Sequence, residues 1–144
     1  SPRFNPTRQM RLHRQLKLES SLEHMDSVVE ETDLFLSPLG LDDELAYNIV
    51  LVTTEAVTNA IEHGNAHDAS KSVHIRYEAT PTLVEVSVED EGEGFAPTSV
   101  PDPLAEENIL ADGGRGVYLI EEIADEVLYE NGGRRVVMRF KTGS

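Results

Sequence analysis

The stretch Glu55-Ala-Val-Thr-Asn59-Ala-Ile-Glu-His63 decides how this chain folds. It belongs to the clearest helical pattern of the sequence, which an aspartate at position 42 or 43 caps and Gly64 ends. Because Glu55, Asn59 and His63 are four residues apart, we expect them on one face of the helix. Asn59 falls on the apolar stripe, where a polar amide needs a partner. The helix is therefore predicted to carry a site as well as a packing surface.

The same helix offers groups that suit phosphate chemistry. The neutral amide oxygen of Asn59 is a reasonable ligand for Mg²⁺, which takes its remaining oxygens from water and phosphates. The carboxylate of Glu55, one turn away, can take a proton from a hydroxyl that approaches a terminal phosphate. His63 leaves two interpretations open, since it can close the site or cap the negative end of the helix.

A second segment, Asp90-Glu-Gly92-Glu-Gly94, directly follows an alternating run that predicts a strand. A carboxylate at this point can accept a hydrogen bond from the exocyclic amine of adenine, and it cannot accept one from the carbonyl of guanine. The glycines are expected to adopt positive φ and to let the backbone approach a ring closely. Without its companions, this pattern is more often only a turn.

A third segment, Gly113-Gly114-Arg115-Gly116, precedes a helical pattern. Free N–H groups at the start of a helix attract phosphate, and an arginine supplies forked donors to it. A flexible connecting loop would explain the glycines but not the arginine set among them. The three segments together therefore predict a nucleotide site, which none of them predicts alone.

The composition limits the class of protein. A chain of 144 residues and 15.9 kDa without cysteine excludes disulfides, thiol catalysis and thiolate metal sites. The net charge of −15 argues against direct binding to nucleic acid or to an anionic membrane. Two interpretations of the charge stay open: an acidic surface that keeps the protein in solution, or a surface that binds a basic protein partner. We see no apolar run long enough for a membrane span and no signal peptide, and we expect a cytoplasmic protein.

The remaining patterns predict the fold. We expect a flexible arm at 1–9 and one domain at 10–144, with a long loop at 96–113 that reads as a lid. The predicted elements are a strand at 10–18, helices at 21–35, 43–63 and 116–124, and two hairpins, 73–79 with 83–89 and 126–130 with 135–141. This order favours an α+β fold, a two-layer α/β sandwich whose mixed, mostly antiparallel sheet is covered on one face by helices.

The three segments resemble the N-box, G1 box and G2 box of the GHKL ATPase/kinase superfamily, over most of the chain. The run from Thr54 to Gly64 is especially similar to that of the anti-sigma-factor serine/threonine kinases. The runs at 113–120 and 124–127 support the same subgroup. One departure lies in the last hairpin, where many members carry a threonine near adenine and this chain has Arg134, Arg135 and Val136.

The resemblance implies a Bergerat ATP-binding fold that binds ATP with Mg²⁺. Asn59 would hold the metal, Asp90 would bind adenine and Glu55 would be the general base. A lid at about 96–116 would close over the nucleotide. The other ATP-binding residues that the resemblance implies are His63, Gly92, Gly94, Gly113, Gly114, Arg115, Gly116 and Val117.

The resemblance also implies a function. Members of the subgroup phosphorylate a serine or threonine of a STAS-domain anti-anti-sigma protein, sequester a sigma factor and often form homodimers. Two alternatives stay open: a non-catalytic ATP-binding regulatory interaction module of the same fold, and the catalytic half of a histidine kinase. The second alternative is disfavoured by Glu55 and by the lack of a phospho-acceptor helix.

Overall fold

The computed structural model describes residues 11–93 and 114–142, and of Gly114 and Arg115 only the backbone. The expected arm at 1–9 and most of the expected lid therefore lie outside the described residues. The described elements follow the predicted order closely. The strands are β1 (Leu12–Glu19), β2 (Ser72–Thr80), β3 (Leu83–Glu89), β4 (Glu126–Glu130) and β5 (Arg135–Lys141), and the α-helices are α1 (Met25–Leu36), α2 (Asp43–Asn59) and α3 (Gly114–Ile123).

The strands form one five-stranded sheet in the order β1-β2-β3-β5-β4. All four pairings are antiparallel, so the mostly antiparallel sheet that we predicted contains no parallel pair among the described strands. Both predicted hairpins are present. The strand β3 pairs with β5 rather than with β4, and Val84 lies opposite Phe140. This pairing places the end of β3, where Asp90 follows, beside the turn of the last hairpin.

The helices cover one face of the sheet and bury a single core against it. Alternation along the strands explains this arrangement, because every second side chain points to the helices. The fully buried side chains include Val28, Ile49, Val52, Val57, Val73, Ile75, Tyr77, Val84, Val86, Met138 and Phe140. The two-layer α/β sandwich is therefore confirmed.

One strand position that broke the apolar alternation has a structural reason. Arg14 points toward the helical layer from the edge strand β1, and its guanidinium forms an ion pair with Glu31 of α1. Long polar side chains can occupy such a position because the stem packs while the charged end stays at the periphery.

The buried stripe of α1 differs from our prediction. The sequence places Leu22, Met25, Val28 and Val29 on one apolar stripe, which predicts that they face the core, but Leu22 and Val29 are 43% and 38% exposed. Ser21 caps a short 3₁₀ turn at Leu22–His24, and α1 begins only at Met25. This late start shifts the helical phase, so that the buried residues are Val28, Thr32, Phe35 and Leu36.

The helix α2 begins where the aspartate pattern predicted. The carboxylate of Asp42 accepts a hydrogen bond of 2.8 Å from the backbone N–H of Leu45. Its end differs from the prediction, since the α-helix ends at Asn59 and a π-helical turn follows at Ala60–Gly64, with Asn65 as its C-cap.

The helix α3 begins at Gly114, two residues earlier than predicted, so Gly114, Arg115 and Gly116 lie inside its first turn. In the described part of the chain, no helix is long and apolar enough to cross a membrane.

Candidate functional site

Glu55 and Asn59 meet the first turn of α3 at one point. A methyl group in place of the hydrogen of Gly116 would lie 2.9 Å from Oε2 of Glu55 and 3.1 Å from Nδ2 of Asn59. Both side chains are half-buried, and they lie one turn apart on α2. The first and third segments thus meet at this contact, and a Cβ atom at position 116 would force the two side chains to shift.

The remaining residues of the third segment are described only in part. Gly116 is buried, and Val117 is half-buried next to it in α3. The backbone of Gly114 and Arg115 is helical. Gly113 and Gly94, which we also predicted at the site, lie outside the described residues. The first turn of α3, next to Glu55 and Asn59, is therefore the described part of this segment that could bind a phosphate.

Asp90 directly follows the carboxyl end of β3 and lies against Gly64 in the π-helical turn after α2. A Cβ atom on Gly64 would collide with the Asp90 carboxylate, and one on Gly92 would collide with the carbonyl oxygen of Gly64. The two glycines thus let two backbone segments touch. The prediction that Gly92 needs positive φ is wrong, because among the described glycines only Gly40, Gly132 and Gly133 have it. Close approach, not an unusual dihedral angle, requires Gly92.

The environment of Asp90 raises the pKa of its carboxyl group. Burial raises the pKa of Asp90 above its ordinary value of 3.8, and the hydrogen bond of 2.8 Å from the N–H of Gly92 partly opposes this shift. Arg134 and Lys71 also lower the pKa of Asp90, while Glu89 raises it. A carboxylate that is half-desolvated but held in place gains from a ligand that donates a hydrogen bond to it.

His63 lies in the π-helical turn that follows α2 and is exposed, whereas Glu55 and Asn59 are half-buried. The role of His63 at the nucleotide stays a prediction.

The sequence patterns did not predict a role for Asn65, which is 1% exposed and is hydrogen-bonded to three other residues near Asp90. Its Nδ2 donates to Oγ of Ser20 at 2.6 Å and to the carbonyl oxygen of Ser72 at 2.9 Å. Its Oδ1 accepts from the N–H of Glu91 at 2.8 Å. Its position directly after the helix-ending Gly64 was the available signal, but periodicity does not reveal that a polar residue beyond a helix end is buried.

The residues present fit a magnesium ion that is held mainly by a nucleotide. No group of three or more histidine, aspartate or glutamate residues in the described ranges could hold a metal by itself. Asn59 instead offers one amide oxygen, with the carboxylate of Glu55 beside it. Mg²⁺ typically takes one or two protein oxygens and completes its shell with phosphates and water, so this donor set is compatible with it.

Two groups of polar side chains lie along the end of α2 and the turn after it. The Asp90 carboxylate lies against Gly64, and the side chains of Glu55 and Asn59 lie against Gly116 in the first turn of α3. A comparison with family models agrees with this arrangement, because the model described as the histidine kinase-like ATPase domain matches residues 18–140.

The chain belongs to the histidine kinase-like ATPase domain family. It is similar to the serine-protein kinase RsbW of Bacillus subtilis, with 31% identity over 107 residues, which are 66% of this chain and 63% of that protein. It is also similar to RsbW of Staphylococcus epidermidis, with 26% identity over 132 residues, 86% of this chain and 83% of that protein. The matched region thus spans 63% of the first relative's length.

A solved structure shares the fold of this family member. The structure of the RsbU and RsbW domains of Rv1364c from Mycobacterium tuberculosis matches with a TM-score of 0.63 over 92% of this chain and 32% of that chain. At 19% sequence identity this likeness concerns the fold alone. It confirms the α+β architecture that the order of elements predicted.

Proposed function

We propose that this protein is an ATP-dependent serine/threonine protein kinase that acts as an anti-sigma factor. The observation that carries the proposal is the contact of Gly116 with Glu55 and Asn59, because it joins a base, an amide oxygen and a helix N-terminus at one point. Family membership implies the use of ATP, and the relatives of Bacillus subtilis and Staphylococcus epidermidis are named serine-protein kinases. A binder without catalysis would not need the carboxylate of Glu55 at this position.

Each proposed group has one role in the transfer. The hydroxyl oxygen of a serine or threonine of the substrate protein attacks the terminal phosphorus of ATP, the bond from that phosphorus to the bridging oxygen breaks, and ADP leaves. Glu55 accepts the proton of the hydroxyl. The N–H groups at the start of α3 and the side chain of Arg115 bind phosphate oxygens. Asp90 accepts a hydrogen bond from the amine of adenine, with Gly92 and Gly94 beside the base.

Mg²⁺ also belongs to the proposal: the amide oxygen of Asn59 and the phosphates would hold the ion, which would supply positive charge at the phosphoryl group. We further propose that residues 10–144 form one domain, that about 96–116 form a lid and that His63, Gly113, Gly114 and Val117 line the nucleotide. The proposed partners are a STAS-domain anti-anti-sigma protein and a sigma factor, in the cytoplasm, with a homodimer as the assembly.

The test separates binding from catalysis. Titration calorimetry with Mg-ATP and Mg-GTP on the wild type and on Asn59→Ala should give adenine-selective binding that falls in the variant. Transfer of labelled phosphate to a STAS-domain protein should then fall by at least about 100-fold in Glu55→Gln, with ATP binding largely kept. Glu62→Gln is the matched control, because Glu62 lies seven residues further along, in the π-helical turn, and its carboxylate lies near the imidazole of His67. Equal transfer by Glu55→Gln and Glu62→Gln would remove Glu55 from the role of base.

The charge distribution favours a second candidate, a non-catalytic module that binds a basic partner. No lysine or arginine occurs from Leu18 to Ser70, a range that contains α1 and α2 and twelve acidic residues. Such a surface attracts cationic protein segments and repels nucleic acid. Wild-type protein that binds ATP but transfers no phosphate to any STAS-domain protein tested, and still binds a sigma factor, would favour this candidate.

A further inference from the structure

The turn that carries Asp90 is fixed by three successive backbone N–H groups. The N–H of Asp90 donates to the carbonyl oxygen of Arg134 at 2.9 Å, and the N–H of Gly92 donates to the carboxylate of Asp90 itself at 2.8 Å. The N–H of Glu91 between them donates to Oδ1 of Asn65 at 2.8 Å. Among these three, only the bond from Glu91 reaches the segment that follows α2.

Asn65 is suited to this link because its amide is held in one orientation. A backbone N–H can only donate and a backbone carbonyl can only accept, so the N–H of Glu91 and the carbonyl of Ser72 together fix which end of the amide faces which group. The backbone N–H of Asn65 donates in turn to the carbonyl oxygen of Ala60 in the π-helical turn at 2.8 Å. Asn65 thus binds the Asp90 turn through its side chain and the helical segment after Asn59 through its backbone.

A second contact to Glu91 is exposed and provides a comparison. The Glu91 carboxylate accepts from Nε2 of His74 at 2.8 Å and from the N–H of Ser72 at 3.1 Å. The side chains of His74 and Glu91 are 39% and 42% exposed, so water competes for this contact. The buried amide of Asn65 has no such competition, and its loss leaves the N–H of Glu91 without its partner.

We propose that Asn65 is a positioning residue for base recognition, which holds the Asp90 carboxylate in register with the end of α2 so that the site selects adenine over guanine. The inference rests on the proposed nucleotide site and adds a residue that does not touch the base. Loss of Asn65 should free the Asp90 turn to move relative to Gly64. The affinity for adenine nucleotides should then fall more than the affinity for guanine nucleotides.

The experiment measures the dissociation constants of Mg-ADP and Mg-GDP by calorimetry, together with thermal unfolding, for the wild type and four variants. For Asn65→Ala we expect about tenfold weaker binding of ADP and less than about threefold weaker binding of GDP, since one buried hydrogen bond is lost. Asn65→Asp keeps an acceptor for the N–H of Glu91 but has no donor for Ser72. It should lose stability and keep more of the selectivity than Asn65→Ala, which makes it the conservative rescue.

Two control variants separate positioning from general destabilisation. Ser20→Ala removes one of the two acceptors of Nδ2 without touching the bond to the N–H of Glu91, and Glu91→Ala removes only the exposed contacts of the Glu91 carboxylate. Both should leave the ratio of ADP to GDP affinity within about twofold of the wild type. An unchanged ratio in Asn65→Ala, or an equal change in Ser20→Ala, would overturn the inference. If Asn65→Ala does not fold, Asn65→Asp alone tests the inference. A ratio of ADP to GDP affinity in Asn65→Asp that is tenfold or more below the ratio in Glu91→Ala would then overturn it.

The result also distinguishes this inference from the proposed function. A wild type that does not bind ADP selectively would refute the nucleotide site itself. Selective binding by the wild type that persists in Asn65→Ala would refute only the role of Asn65.

Discussion

The two ends of the helix–sheet sandwich differ in what fills the space between the layers. At one end, which we call the core end, Ala79, Val84 and Phe140 are almost wholly buried, and the rings of Phe35 and Tyr77 stack with centroids 5.2 Å apart. At the other end, which we call the site end, Gly64, Asn65, Asp90 and Gly92 bring polar groups and bare backbone together. The first end resembles an ordinary core, and the second contains a desolvated carboxylate.

This difference shows where stability and function are located in the fold. Apolar burial at the core end contributes favourable free energy roughly in proportion to the area removed from water. At the site end, burial raises the pKa of Asp90, which means that the ionised form costs free energy in the folded protein. Substitutions at the two ends should therefore separate the free energy of unfolding from nucleotide affinity.

The largest effect should come from Phe140→Ala at the core end. The side chain is fully buried, and its removal should lower the free energy of unfolding by about 3–5 kcal/mol through lost burial and the cavity left behind. Urea denaturation measures the loss. Leu34→Ala on α1 is the control, since Leu34 is 54% exposed and should cost less than about 0.5 kcal/mol. Similar losses for the two variants would contradict the assignment of the core.

A smaller effect should follow from Tyr77→Phe, which removes one hydroxyl from the same end. The hydroxyl of Thr32 donates to the carbonyl of Val28 at 2.7 Å, so the hydroxyl of Tyr77 donates to Oγ1 of Thr32 at 2.7 Å. Loss of this buried bond should cost about 1 kcal/mol of unfolding free energy. ADP affinity at conditions where the variant is folded should not change. A change in affinity larger than the change in stability would show that the two ends are coupled.

The smallest effect, and one of opposite sign, should come from Asp90→Asn at the site end. The folded protein binds the proton of Asp90 more tightly than the unfolded chain, so ionised Asp90 destabilises the fold at pH 7. The substitution Asp90→Asn should raise the free energy of unfolding of the nucleotide-free protein by less than about 1 kcal/mol, because solvent screens the charge of a half-buried group. The gain should shrink as the pH falls toward the ordinary pKa of 3.8. Affinity for ATP should decrease in the same variant.

A carboxylate of opposite behaviour provides the control for that prediction. Hydrogen bonds from Ser70 lower the pKa of Asp68, so ionised Asp68 stabilises the folded protein above the ordinary pKa, and this contribution is lost as the pH falls through the lowered value. Asp68→Asn should therefore decrease stability at pH 7, and the difference should also disappear on acidification. Denaturation of both variants at several pH values shows whether each substitution raises or lowers the free energy of unfolding. A loss of stability in Asp90→Asn at pH 7 would contradict our account of the site end.

Local sequence patterns predicted most of the fold. The bounds of β4 and β5 agree with their hairpin pattern, and β2 differs from its prediction by one residue at each end. Apolar patterns with a period of two residues predict strands accurately here, because a strand in a sheet that is covered on one face must bury alternate side chains. The prediction for α1 was less accurate, since the 3₁₀ turn before it shifts the phase of the helix.

The sequence by itself determined the α+β class, the order of the elements and the residue types of the site, because periodicity, caps and turn residues act over a few neighbouring positions. Only the tertiary structure decided that β3 pairs with β5, that Gly116 meets Glu55 and Asn59, and that Gly64 and Gly92 touch. It also decided that Asn65 is buried and holds the turn after Asp90. These contacts join residues distant along the chain, and their partners are selected by close packing and by hydrogen-bond satisfaction, which no local pattern encodes.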